Sequence, residues 1–459
     1  MFKGNNVENR EHELSPIQQG RRSVMLGTGK VAAMGAVVAT LGSRVSREAD
    51  AAPVDAAAAV DTPRPVDNKP GSGLWEDQLS RLKSQIEEDI NGGLYYGAVV
   101  LVARHGVLGL HEAIGYTNAA NAKDRQPIAK NSVFTLFSST KALTDVLVYR
   151  AIEKGQFGLT TKVSDIIPAF DGASRKDITF YHLLTHSSGL SAVFTPRTGM
   201  PIDHLEEVID AICKNVQSVE RPGELVTYAP MAGQALMGWA THLTDPQKRS
   251  YRQLVNDEIL TPLKMSDSSI GVRADLKDRH IFPVFMDEAA GQALAQIHLG
   301  HEDLGPNGIF RSETAEMPWV GGYATGADIF RFAEMLRRGG ELDGARILSP
   351  AILNAATVNR TGDKPNELYK QLAMGRGWEP YPAYIGLGFE LRGESICHHM
   401  FGTLTSPRTF GNYGAGSSVF WVDPERDMTF VCLSAGVMNE ADNIERFQRL
   451  SDIALSAAI

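Results

Sequence analysis

Val133-Phe134-Thr135-Leu136-Phe137-Ser138-Ser139-Thr140-Lys141 carries an apolar, strand-like run straight into a serine that stands one helical turn ahead of a lysine. Residues three apart on a helix share a face, so Lys141 can reach the Ser138 hydroxyl and help remove its proton. The spacing alone is not specific, because Ser80-Arg81-Leu82-Lys83 repeats it. That second copy lies in a helical pattern whose positions Trp75, Leu79, Leu82, Ile86 and Ile90 define a buried stripe. Ser80 and Lys83 flank the stripe and read as a solvated helix face. The surroundings of Ser138 therefore decide.

Working outward, the Ser138 helix runs to about Lys154, with Leu143, Val146, Leu147 and Ile152 on its apolar side and Gly155 as the stop. Upstream, a helix at 75–91 precedes a strand from Tyr95 to Ala103, a turn at Arg104-His105-Gly106 and a second strand from Val107 to Tyr116. From there to about residue 350 the pattern is mostly helical segments and long loops. Strand character returns only near the C-terminus, at Ile385–Arg392, Ser417–Val422 and Met428–Ser434, with Asp423-Pro424-Glu425-Arg426 as the last turn. A helical stretch from Asn443 to Ala458 closes the chain. Strands at both ends around a helical middle predict an α+β fold, an α/β sandwich: one antiparallel sheet built from N- and C-terminal segments and flanked by helices, with a mostly helical second region at about 155–350.

The 459 residues, 43% hydrophobic and 22% charged, suffice for a large core. The net charge of −9, without a basic stripe, argues against a nucleic-acid partner. Cys213, Cys397 and Cys432 are too widely spaced for a zinc pattern and odd in number for a disulfide framework. His182 and His186 are four apart, but no glutamate sits beside either in the zinc-peptidase arrangement, and His398-His399 beside Cys397 has no fourth ligand near. No metal and no cofactor are expected. Residues 1–51 combine Arg21-Arg22, a Gly/Ala/Val run from Val31 to Leu41 and a small-residue exit at Ala49-Asp50-Ala51-Ala52, the parts of an export signal of twin-arginine type. Lys30 interrupts the apolar run, which is shorter than the ~20 residues a spanning helix needs. The expectation is a protein that is exported, periplasmic or secreted, with 52–73 as a linker and 74–459 as one domain.

Several distant segments align with Ser138: Ile178-Thr179-Phe180-Tyr181-His182-Leu183-Leu184-Thr185-His186-Ser187-Ser188-Gly189-Leu190, then Arg221-Pro222-Gly223-Glu224-Leu225-Val226-Thr227-Tyr228, then Gly321-Gly322-Tyr323, then Phe410-Gly411-Asn412-Tyr413-Gly414-Ala415-Gly416. In this order the chain resembles, over about residues 75–459, the serine hydrolases related to class C β-lactamases and DD-peptidases, a family that also contains esterases and acyltransferases. The resemblance implies Ser138 as nucleophile, Lys141 as base and Tyr228 as the tyrosine sharing its proton. It also implies an oxyanion hole from the backbone N–H groups of Ser138 and Ala415, with Ala415 on an edge strand and Asn412, Tyr413 and Gly414 along the substrate. Thr179 is expected to cap the short helix before Ser187-Ser188-Gly189 ends it.

Two departures bear on substrate. The tyrosine is commonly followed by Ser-Asn in that family, whereas Tyr228-Ala229-Pro230 offers no side-chain amide. The third motif commonly starts with a cationic Lys or His, here Asn412, with Arg408 as an alternative cation nearby. Losing a charge-assisted contact to a substrate carboxylate costs on the order of 1.5–3 kcal/mol. The reading is a hydrolase that forms an acyl-enzyme from an ester and passes it to water or an alcohol. A β-lactamase or DD-peptidase-like peptidase is the alternative, and a non-catalytic binding protein on the same scaffold is a third reading. The partner in the catalytic readings is a small-molecule ester, amide or lactam.

Overall fold

The computed structural model describes residues 71–118, 125–287 and 308–459. The expected export signal at 1–51 and all but the end of the expected linker at 52–73 lie outside the described residues. In chain order the elements are α1 (Glu76–Asn91), β1 (Gly97–Arg104), β2 (Val107–Gly115), β3 (Val133–Thr135), a 3-10 turn (Phe137–Thr140), α2 (Lys141–Glu153), α3 (Val163–Ile166), α4 (Phe180–Leu184), α5 (Leu205–Asn215), α6 (Ala232–Thr244) and α7 (Tyr251–Val255). Then follow β4 (Ser269–Ile270), β5 (His280–Ile281), β6 (Gly322–Ala324), α8 (Gly326–Arg337), β7 (Glu341–Leu342), β8 (Ala345–Arg346), α9 (Pro350–Ala356), α10 (Glu367–Arg376), β9 (Glu390–Leu391), β10 (Phe410–Gly414), β11 (Ser418–Asp423), β12 (Met428–Ala435) and α11 (Glu440–Ser456).

The main sheet is antiparallel, in the order β2-β1-β12-β11-β10-β9, so the N-terminal hairpin joins the C-terminal strands through β1 and β12. Every residue of β1 from Gly97 to Ala103 is buried, which requires both faces of the sheet to be covered. Side chains alternate along a strand. Val99 and Leu101 accordingly enter one core with Phe332 of α8, while Val100 and Val102 enter the other with Leu82 and Ile86 of α1 and Phe447 and Leu450 of α11. Each such large side chain contributes about 1.5–3 kcal/mol on full burial. The two cores make the expected sandwich: helices, sheet, helices. The α8 layer sits very close, since a Cβ on Gly326 would come within 2.8 Å of Leu101 Cδ1. Thr325 Oγ1 caps this helix, accepting from Asp328 N at 3.2 Å.

The structure corrects three expectations about this frame. Strands do not return only near the C-terminus, because β4, β6, β3 and β5 form a second, small sheet behind the Ser138 turn. Runs of two or three residues carry no readable period. The strand expected over Ile385–Arg392 shrinks to β9, with Gly386 and Gly388 breaking it and Gly388 at φ +96°. Trp75 does not join the buried stripe of α1, as it is 53% exposed just ahead of the helix. Ser80 and Lys83 do lie on the outer face, Ser80 exposed and Lys83 paired with Glu112 at 3.7 Å.

Candidate active site

Ser138 sits where β3 turns sharply into α2. Phe137, immediately before it, adopts φ +48°, a left-handed conformation costing about 1–2 kcal/mol for an L-residue. The surroundings hold it there. Phe137 is buried with its ring edge-on to Phe310 at 5.5 Å, and Leu136 N donates to Gly322 O at 2.8 Å. Ser418 Oγ on β11 donates to Leu136 O at 2.8 Å and lies 3.0 Å from Ser139 Oγ. Gly322 N donates to Thr140 Oγ1 at 2.9 Å, which ties the Gly321-Gly322-Tyr323 motif to the same turn.

Lys141 and Tyr228 converge on the serine. Lys141 Nζ is 2.9 Å and Tyr228 Oη 2.7 Å from Ser138 Oγ, and Lys141 Nζ also donates to Trp319 O at 3.1 Å. Burial pulls the Lys141 ammonium down to about 7, opposed by the negative charges of Asp145 and Glu390. Near neutral pH, Lys141 thus has an appreciable unprotonated fraction and can take a proton from Ser138. Burial raises the Tyr228 phenol, partly offset by its bond to Ser138, so Tyr228 is held protonated as a donor.

Tyr228 is positioned by residues far from it in sequence. Its N–H donates to Asn366 Oδ1 at 3.1 Å, and its ring packs on the His186 ring at 4.9 Å and edge-on to Tyr369 at 6.3 Å. His186 Nδ1 accepts from Ala229 N at 3.3 Å, and His186 O accepts from Thr227 N at 2.8 Å. Burial holds this imidazole neutral, down at about 3, helped by the Lys141 charge. His182 serves the other end of the segment: its Nδ1 accepts from Thr179 N at 3.1 Å and pairs with Thr179 Oγ1 in the capping arrangement of α4. Both histidines thus have structural partners.

β10 delivers the remaining residues. A Cβ on Gly414 would lie 2.2 Å from Leu136 O and 3.0 Å from Phe137 Cβ, so only glycine lets the strand end meet the serine turn. Ala415 follows it in the β10–β11 turn. It is not on an edge strand as expected, because β10 ends at Gly414 and the chain there reverses into β11; β9 pairs with β10 only at Phe410 and Gly411. β9 is so short that the Asn412–Gly414 half of β10 gains no partner from it. Asn412 shares the strand face of Gly414, is buried, and its Nδ2 has no hydrogen-bond partner among the described residues. Tyr413 is on the other face, edge-on to Tyr369 at 6.3 Å. Tyr369 Oη donates to Glu440 Oε1 at 2.7 Å. Arg408 is exposed ahead of β10, at the end remote from Gly414.

Trp319, Asn366, His186 and Asp145 were not recognised from the sequence as parts of this arrangement. Asp145 carried a signal in its four-residue spacing from Lys141 on α2, and His186 in its place within the segment that aligns with Ser138; Trp319 and Asn366 act through a backbone atom or across the fold.

Known proteins share this framework. The family model described as Beta-lactamase matches residues 83–455. The chain belongs to the beta-lactamase family, whose members are serine hydrolases. Among curated relatives, a penicillin-binding protein 4 of Amycolatopsis lactamdurans is 28% identical over 261 residues, covering 55% of this chain and 64% of that protein, so the match spans less than two thirds of that relative. The esterase/beta-lactamase LipL of Mycobacterium tuberculosis is 26% identical over 327 residues, covering 66% of this chain and 69% of that protein. In fold, the crystal structure of a family VIII carboxylesterase aligns with a TM-score of 0.66 at 21% identity, covering 84% of this chain and 98% of that one.

Proposed function

We propose that the chain hydrolyses, or transfers the acyl group of, carboxylic esters that lack a carboxylate next to the reacting bond. The observation that carries this is a contrast within one site. The Lys141–Ser138–Tyr228 contacts are complete, at 2.9 and 2.7 Å. The third-motif position holds instead Asn412, a neutral side chain with a buried amide donor that has no partner among the described residues. An amide N–H suits a carbonyl or ether oxygen and offers no charge to an anion. An anionic substrate would find no compensating cation at Asn412 or at Pro230.

The chemistry runs in two halves. Ser138 Oγ attacks the ester carbonyl as its proton passes to neutral Lys141. The backbone N–H groups of Ser138 and Ala415 receive the oxyanion, a role supported by the approach of Gly414 to the serine turn. The C–O bond to the alcohol then breaks, and the alcohol leaves with a proton from Tyr228 or Lys141. Water or an acceptor alcohol repeats the sequence on the acyl-enzyme and frees Ser138.

The test is a panel of short-chain aryl esters beside a chromogenic cephalosporin. Ester turnover well above cephalosporin turnover is expected, and strong cephalosporin turnover without esterase activity would refute the ester reading. The penicillin-binding relative favours a second reading, a β-lactamase or DD-peptidase-like activity. Stable labelling of Ser138 by a fluorescent penicillin would support it. Export before action, through the twin-arginine route, rests on Arg21-Arg22 and the apolar run after them. Sequencing the N-terminus of the protein recovered from periplasm or medium tests it, and a full-length N-terminus found only in the cytoplasm would exclude it.

A further inference from the structure

We infer that Asp145 is a positioning residue for the active-site proton: its carboxylate, buried one helical turn beyond Lys141, sets the pH at which Lys141 becomes a base. The inference rests on the reading of Lys141 as that base, and the experiment below separates the two. Asp145 lies at i+4 from Lys141 on α2, the spacing that brings two side chains onto one face. It is fully buried. Gln234 Nε2 of α6 donates to Asp145 Oδ1 at 3.1 Å, while Asp145 Oδ2 and Gln234 Oε1 are both buried without a donor among the described residues. The loop before β9 closes the space from the other side, since a Cβ on Gly388 would lie 2.4 Å from Asp145 Oδ2. No residue larger than glycine fits there, so the fold makes room for this carboxylate and then seals it from water.

A sealed carboxylate with an unpartnered oxygen has two ways to be accommodated: to hold a proton, or to face a nearby positive charge. Lys141 supplies the charge. Burial pushes Asp145 up to about 7, with the Gln234 bond and the Lys141 charge pulling it back, and Lys141 is brought to about the same value. The other groups around the pair are neutral phenols, the His186 imidazole, which burial and the Lys141 charge keep neutral, and a second acid. Tyr149, from α2, donates to Leu387 O; Tyr251, from α7, pairs with Thr144 Oγ1 at 2.7 Å; Tyr228 reaches the pair from the Ser138 side; and Glu390 on β9 acts on Lys141. The two groups then titrate together rather than one by one. When Ser138 gives its proton to Lys141 Nζ, the ammonium so formed has the Asp145 carboxylate as its counter-charge. No other bond is made or broken at Asp145.

The sign follows from the charges. The Asp145 anion raises the affinity of Lys141 for its proton, so removing that charge lowers it and lets Lys141 act as a base at lower pH. The experiment is the pH profile of kcat/KM for an aryl ester in the full chain, in the wild type, in Asp145→Asn and in Gln234→Leu, with thermal melts of all three. Asp145→Asn keeps the size and the bond partner and is expected to move the midpoint of the acidic limb down by roughly half to one pH unit. Gln234→Leu leaves Asp145 in place but removes the donor that favours its ionised form, so a smaller shift in the same direction is expected. A wild-type profile without an acidic limb would remove Lys141 as the base and with it the proposed chemistry. A wild-type limb that stays in place in both folded variants, or moves up, would overturn the role of Asp145 alone. Should Asp145→Asn not fold, the shift or its absence in Gln234→Leu decides.

Discussion

Tyr228 Oη stands 2.7 Å from Ser138 Oγ, although the two residues are 90 positions apart. The approach is made by the loop after Gly223, whose N–H donates to Ser187 O at 2.7 Å, and by His186, which backs the tyrosine ring. Replacing Tyr228 by Phe removes the hydroxyl and little else. Loss of a positioned proton donor costs about a hundredfold to ten-thousandfold in rate. Steady-state kinetics should therefore show kcat reduced in that range with KM within a few-fold of wild type. A kcat within threefold of wild type would show that the tyrosine takes no part in proton transfer.

His186 should matter through Tyr228 rather than through its own proton, because burial holds it neutral across the working pH range. His186→Ala removes the acceptor of Ala229 N–H and the ring beneath Tyr228, at a cost of about 1–3 kcal/mol for the orphaned donor. Chemical denaturation should report a loss of that size, and kcat should fall. The pH profile of the remaining activity should keep its shape. A lost acidic or basic limb would mean that the imidazole itself carries a proton in catalysis.

The pH dependence of the wild-type enzyme follows from Lys141, whose ammonium is drawn down to about 7. Below that value Lys141 is charged and unable to accept the Ser138 proton, and above it the amine is free. kcat/KM for a neutral ester should rise with pH across the region around 7 and then level off. Stopped assays from pH 5 to pH 9 check this. An activity that falls as pH rises through 7 would contradict the assignment.

Much of this was legible from the chain itself. The three-residue spacing of Ser138 and Lys141, the hairpin of β1 and β2 and the closing strands β11 and β12 are local patterns, and local patterns survive in sequence. The place of Tyr228 was legible only through resemblance to a family, because nothing near it in sequence refers to Ser138. The contacts of Trp319 O with Lys141 and of Asn366 with Tyr228 were not legible at all. Each depends on a chain path that brings together segments more than a hundred residues apart. The split of the expected Ile385–Arg392 strand has a local cause, Gly386 and Gly388, but its purpose appears only with Asp145 lying against Gly388.

Asn412 offers a gain-of-function test of substrate class. Asn412→Lys places a cation on the strand face that meets the serine turn. The variant should improve kcat/KM for a carboxylate-bearing substrate such as a cephalosporin by about tenfold or more relative to a neutral ester, the worth of one charge-assisted contact. An unchanged ratio of the two substrates would mean that position 412 does not face the bound acyl group.

The central claim is that Ser138 carries the acyl group. Mass spectrometry of the protein quenched during turnover of a short-chain aryl ester, followed by peptide mapping, tests it most directly. One acyl group on Ser138, absent from Ser138→Ala, whose turnover should drop by about a thousandfold or more with stability within about 0.5 kcal/mol of wild type, is the predicted result. An acyl group on Ser80 or Ser139 instead, or full turnover by Ser138→Ala, would contradict it.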